Sequence, residues 1–165
     1  MVKMLGGLGL ALFCATAFAA DNSHLLNVSV SEQPALKLQL PEGWSSKSKN
    51  ETTELSSPLE VHVQLWNVPN AKSVKESLPR VGEIITGEVI DFKVVEAKDI
   101  TVAGAAAEHI IGTGTEADDG DPSNVEVFLF SVGRNVFLVC AHGEGKGATK
   151  ARSAILAMLA TATKP

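Results

Sequence analysis

Two neighbouring runs, Val125–Val132 and Val136–Ala141, are separated only by Gly133-Arg134-Asn135, and both are apolar on each of the faces a strand would present. Successive side chains of a strand point to opposite sides, so Val125, Val127 and Leu129 fall on one face while Phe128, Phe130 and Val132 fall on the other. Such a hairpin must be covered on both sides by other parts of the chain. That excludes a sheet with one wet face and puts these two strands in the middle of a sheet.

The rest of the chain supplies neighbours and covers. Ala35–Leu40 alternates through Leu36, Leu38 and Leu40 and is stopped by Pro41-Glu42-Gly43, the pattern of a half-buried strand. In Leu59–Val68, Val61, Val63 and Leu65 share one face, while Glu60, His62, Gln64 and Trp66 share the other. Phe92–Val102 and Ala105–Thr115 are joined at Ala103-Gly104, a hairpin by spacing and by its glycine. Ser45–Ser57, rich in Ser, Lys, Asn and Thr, reads as a loop or a weakly paired hairpin. Its Asn50-Glu51-Thr52 spells a glycosylation acceptor that a bacterium would not use.

Two segments have helical period. Ser73-Val74-Lys75-Glu76 spells a capping box, and Val74, Leu78, Val81, Ile85 and Val89 form one stripe. Pro79 interrupts it, which predicts a kink or a restart with Ser77 as N-cap, and Gly82 and Gly87 weaken it further. Ala148, Ala151, Ile155, Met158, Leu159 and Ala162 give a cleaner stripe near the carboxyl end. Hairpin-length turns impose antiparallel pairing. The expected fold is α+β: a largely antiparallel sheet of about six strands with helices on both faces, an α-β-α sandwich.

The amino terminus reads as an address. Lys3, the apolar run Leu5–Phe13 and the small-residue signal Ala17-Phe18-Ala19 form a cleavable signal peptide over residues 1–19. A membrane anchor is the rival reading, but the uncharged stretch is short for a span and is thinned by Gly6, Gly7 and Gly9. Phe13 before Cys14 disfavours lipoprotein processing, which wants a small residue there. The chain after Ala19 is expected in the periplasm, with residues 20–34 as a tail or an edge strand and 35–165 as one domain. Of the two cysteines only Cys140 then remains, flanked by Phe137, Leu138 and Val139 and read as a small buried hydrophobe.

Composition excludes some functions. The net charge is −5, and no basic cluster offers the phosphate-neutralising surface that nucleic acid requires. Gly143–Lys150 fits neither GxxxxGK[ST] nor GxGxxG. The acidic turn Glu116, Asp118, Asp119, Asp121 offers hard oxygen ligands without EF-hand spacing. His24, His62, His109 and His142 show no paired ligand spacing, and His62 and His109 are read as lining polar patches of the sheet. No GxSxG elbow or ordered Ser, His and Asp set is present. No cofactor and no catalysis are expected. Trp44 and Trp66 are the only tryptophans; with His62 and Gln64 they are the candidate residues for a ligand or partner, because an indole joins a large apolar area to a donor.

Leu38-Gln39-Leu40-Pro41-Glu42-Gly43-Trp44, a strand ending in Pro-x-Gly-Trp, resembles the opening of the PsbP-like and DcrB-like proteins. The order of later elements, the Val102-Ala103-Gly104 hairpin followed by Gly112-Thr113-Gly114, and the closing helix extend the resemblance over about Ala35 to Lys164. It implies an α-β-α sandwich and a role in binding rather than catalysis. The expectation is a non-enzymatic periplasmic accessory protein that binds another envelope protein or an apolar segment; the alternative is a carrier of a small molecule, lipid or metal ion.

Overall fold

The computed structural model describes residues 24–49 and 52–165. The signal peptide read at 1–19, and Asn50 and Glu51 of the glycosylation spelling, lie outside them. Among the described residues the elements run β1 (Leu25–Val30), β2 (Gln33–Gln39), β3 (Ser45–Lys49), β4 (Thr52–Ser56), β5 (His62–Asn67) and α1 (Val74–Ser77). A 3-10 turn (Leu78–Arg80) leads to α2 (Val81–Ile85), followed by β6 (Val89–Val102), β7 (Ala105–Glu116), β8 (Pro122–Val132), β9 (Asn135–Gly143) and α3 (Gly147–Ala160).

Seven strands form one antiparallel sheet in the order β3-β4-β5-β9-β8-β7-β6. The apolar-faced hairpin is β8 and β9, and it takes the central places its two dry faces require. The chain leaves the sheet after β5, passes through α1 and α2, and re-enters at the far edge as β6. A meander from β6 to β9 then brings β9 back against β5. In the β8–β9 register Val127 faces Cys140 and Leu129 faces Leu138, whereas Phe128 faces Val139 and Phe130 faces Phe137.

Alternation sorts these pairs into two cores. Phe128, Phe130, Phe137 and Val139 pack with Ala148, Ala151, Ile155, Met158 and Leu159 of α3 and with Leu26, Leu36, Leu38 and Trp44. Val127, Leu129, Leu138 and Cys140 pack instead with Val81 and Ile85 of α2, while Val74 and Leu78 lie against the same cluster. No helix among the described residues is long and apolar enough to cross a membrane.

The structure departs from the sequence reading in three places. The expected sheet of about six strands has seven, because Ser45–Ser57 pairs as β3 and β4; every residue of β3 is exposed, so no apolar alternation announced it. The strand at Ala35–Leu40 does not join the main sheet. It pairs with β1, Leu25–Val30, in a separate two-stranded sheet. That small sheet is tied to the carboxyl end by Lys37 and Thr163, whose backbones exchange hydrogen bonds at 2.9 and 3.0 Å.

The interrupted stripe breaks as its proline requires. Ser73 caps α1 by accepting from the Glu76 amide at 3.2 Å, and Pro79 sits in the 3-10 turn. Ser77 does not cap the next segment; its hydroxyl donates back to the Ser73 carbonyl at 2.8 Å. Val89, the last residue of the stripe, begins β6 instead of continuing the helix.

β6 is bulged twice against β7, between Ile90 and Lys93 and between Val94 and Glu96. The bulges press β6 onto β7 where only glycine fits: a Cβ at Gly112 would lie 2.6 Å from the Lys93 carbonyl oxygen, and one at Gly114 would lie 2.9 Å from that of Ile90. Gly112-Thr113-Gly114 is therefore a packing device for the edge strand.

Candidate functional site

The antiparallel register gathers four segments at one end of the central strands. His62 at the start of β5 lies opposite His142 near the end of β9, and Val125 of β8 flanks His142 on its other side. Val89 lies opposite Glu116, which draws the turn containing Glu88 to the same corner. The β7–β8 turn adds Asp118, Asp119 and Asp121, and the loop after β9 adds Glu144.

His142 is the centre of this corner. It is 3% exposed, its ring stacks on His62 with centroids 5.2 Å apart, and neither ring nitrogen has a hydrogen-bond partner among the described residues. Nδ1 stands 3.6 Å from Glu116 Oε1 and Nε2 stands 3.7 Å from Glu88 Oε2. Burial holds the imidazole below the ordinary histidine range, and the His62 ring acts in the same direction, while Glu116 and Glu88 pull against them.

Glu116 is itself buried, and its Oε1 accepts from the Ser123 hydroxyl at 3.1 Å; that hydroxyl oxygen accepts from the Gly143 amide at 2.9 Å. Ligand atoms of Glu116, Asp118 and Asp119 all lie within 4.8 Å of one another. Glu144, fully exposed, is raised above the ordinary carboxylate range, chiefly by a hydrogen bond and charge from Asp121. Among the described residues the cleft here is lined by Glu60, His62, Glu116, Asp119 and Glu144, with Gly143 and Gly145 and no lysine or arginine.

The residues read from sequence fall in different places. Trp44 is 3% exposed and belongs to the α3-side core, where its indole is a packing residue with no free face for a partner. Trp66 is half-buried against the other core, Gln64 lies between β4 and β9 at intermediate exposure, and His62 is exposed. Of the acidic turn, Glu116, Asp118 and Asp119 converge, while Asp121 lies outside that trio and beside Glu144. Sequence reasoning missed Glu88, Ser123, His142 and Glu144. His142 carried a faint signal, a histidine ending an apolar strand, but its convergence with Glu116 depends on long-range pairing.

His109 is not on a polar patch. It is 6% exposed, stacks on Phe128 with centroids 4.5 Å apart and shares a 2.6 Å contact between its Nε2 and Glu126 Oε2. Glu126, 1% exposed, also accepts from Arg152 of α3 through Nε at 2.8 Å and Nη2 at 2.5 Å. Burial alone would raise Glu126; the bonds and charges of Arg152 and His109 outweigh it and hold the carboxyl below its ordinary range. Cys140 is fully buried, and burial pushes its thiol far up, so it behaves as the small hydrophobe its neighbours suggested.

A second concavity lies beside α1: an open cleft of about 620 Å³ whose lining includes Lys75, Val74, Leu78, Glu108, Arg134 and Val136. Glu108 is raised by burial and by its cross-strand neighbour Asp99, whose carboxyl bonds to it and repels its charge.

The sequence matches no protein-family model and no curated protein. Solved structures nevertheless share the fold. LpqN of Mycobacterium tuberculosis, a protein involved in cell envelope biogenesis, superposes with a TM-score of 0.55 at 13% identity, over 86% of this chain and 92% of that one. The cyanobacterial PsbP of Synechocystis sp. PCC 6803 superposes with a TM-score of 0.53 at 11% identity, over 99% of both chains. A protein of Bacteroides thetaiotaomicron gives 0.55 at 9% identity over 79% of this chain, which spans only 45% of that longer protein. The fold is PsbP-like.

Proposed function

We propose that this chain is an exported, non-enzymatic accessory protein of the periplasm that works by binding an extended segment of another envelope protein along β6. The supporting observation is the state of that strand. β6 is fourteen residues long, ends the seven-stranded sheet, and exposes Val94 and Val95 by 58% and 69%. A long apolar edge invites another strand, and natural proteins restrain such edges with lysines and bulges. Lys93, Lys98 and two bulges supply that restraint, which favours a selective partner over indiscriminate pairing.

In this reading α3 covers one face of the sheet and α1 with α2 the other, an α-β-α sandwich whose buried faces leave the edge as the working surface. Residues 1–19 supply export, and the likeness to LpqN is consistent with a place in the envelope. The Pro41-Glu42-Gly43-Trp44 opening extends the kinship to DcrB-like proteins.

The carrier alternative is favoured by the cleft beside α1, an open space of about 620 Å³ whose lining joins Val74 and Leu78 to Val136 of the sheet. Substitution separates the two. Val94→Lys with Val95→Lys is expected to lower recovery of a partner crosslinked in intact cells at least about tenfold with melting temperature unchanged, since surface substitutions cost under about 0.5 kcal/mol. Undiminished recovery of that partner counts against edge binding.

A further inference from the structure

We propose that His142, Glu116, Asp118 and Asp119 form a binding site for a first-row divalent transition-metal ion of the Zn²⁺ class, with Glu88 orienting the imidazole from its far side. This is independent of edge binding by β6. One buried and two exposed carboxylates would carry no such inference. What points to an ion is a buried side chain left without a partner among the described residues and turned toward one of them, Glu116.

Both nitrogens of His142 lack hydrogen-bond partners although the residue is 3% exposed. A buried polar atom left unpaired costs about 1–3 kcal/mol, and native structures rarely tolerate two on one ring. The separation from Glu116 accounts for Nδ1. Nδ1 and Oε1 are 3.6 Å apart, too long for a hydrogen bond. With metal–ligand bonds of about 2.0–2.2 Å, two ligands of one tetrahedral ion stand about 3.3–3.6 Å apart. The Asp118 and Asp119 ligand atoms lie within 4.8 Å of Glu116 and of each other; His142 stands outside that trio and meets it at Glu116, so closure on a common ion requires the two exposed aspartate side chains to swing toward the imidazole.

The surroundings fit the same chemistry. A ligating histidine usually directs its second nitrogen at a carboxylate, and Glu88 Oε2 is 3.7 Å from Nε2. The Ser123 hydroxyl, itself held by the Gly143 amide, donates to the Glu116 oxygen that faces His142 and fixes its position. Asp121 and Glu144 add negative charge at the mouth, and no lysine or arginine lines the cleft to oppose a cation. An imidazole beside carboxylates selects a first-row transition ion over Ca²⁺ or Mg²⁺, which prefer all-oxygen shells.

The test titrates the chelator-stripped chain with Zn²⁺, following ¹⁵N shifts of the histidine side chains together with equilibrium stoichiometry. One ion per chain, a shift of His142 Nδ1 and a loss of affinity of about 10–100-fold in His142→Gln support the site. Should His142→Gln fail to fold, Asp118→Asn with Asp119→Asn, confined to an exposed turn, is expected to give a similar loss. Zn²⁺ uptake that leaves the His142 resonances unmoved, affinity unchanged in the turn variant, or no saturation below about millimolar Zn²⁺ would each overturn it.

Discussion

Phe130→Ala is expected to cost about 3–5 kcal/mol, a large share of the roughly 5–15 kcal/mol that holds a domain together. Phe130 is fully buried near the end of β8, opposite Phe137, with ring centroids 5.8 Å apart. Its cavity could not collapse readily, because one wall is the sheet backbone and the other is α3, anchored by Ile155, Met158 and Leu159. Urea denaturation measures it: the midpoint should fall with the slope unchanged. Ile90→Ala on the exposed edge strand serves as the control and is expected to cost under about 0.5 kcal/mol. A cost below 1 kcal/mol for Phe130→Ala would mean that this face of the sheet is not covered as described.

Arg152→Met is expected to cost about 2–3 kcal/mol at neutral pH and to flatten the acid limb of the stability curve. Removing one partner of a buried pair costs about 3–5 kcal/mol; Arg152 is about one-third exposed, so solvent screening discounts the figure. Glu126 then keeps only His109 while remaining 1% exposed. The pH dependence follows from the direction of its shift. A carboxyl held below its ordinary value of 4.5 contributes stability that is complete above that value and is lost as pH falls through the lowered one. Wild type should therefore lose this increment on acidification below about pH 4.5, and Arg152→Met and Glu126→Gln should lose much less there. Parallel acid limbs in wild type and variants would show that the triad does not link α3 to the sheet.

Much of this architecture was legible because it rests on local patterns. The two-faced runs of β8 and β9 announced their central place, Ala103-Gly104 announced its hairpin, with both residues at positive φ, and the stripe of α3 announced its buried face. β3 was hidden because all of its residues are exposed and it carries no apolar alternation. β2 looked like any half-buried strand; which sheet it joins is decided by β1 and by Thr163 at the far end of the chain. The candidate site was the least legible part. Glu116, Asp118 and Asp119 are neighbours in sequence, but His142 reaches Glu116 only through the β7–β8 and β8–β9 registers. His109, Glu126 and Arg152 come from two strands and a helix, with no spacing that foretells a triad.

The measurement that bears most directly on a binding role at the sheet edge is site-specific photocrosslinking in intact cells, with the photoreactive residue placed in turn at 94, 95 and 97 of β6 and at 153 and 157 on the exposed side of α3. The three β6 positions are expected to yield one adduct of the same discrete mass, and the α3 positions none. Adducts of equal yield from both elements, or no discrete adduct from β6, would contradict it.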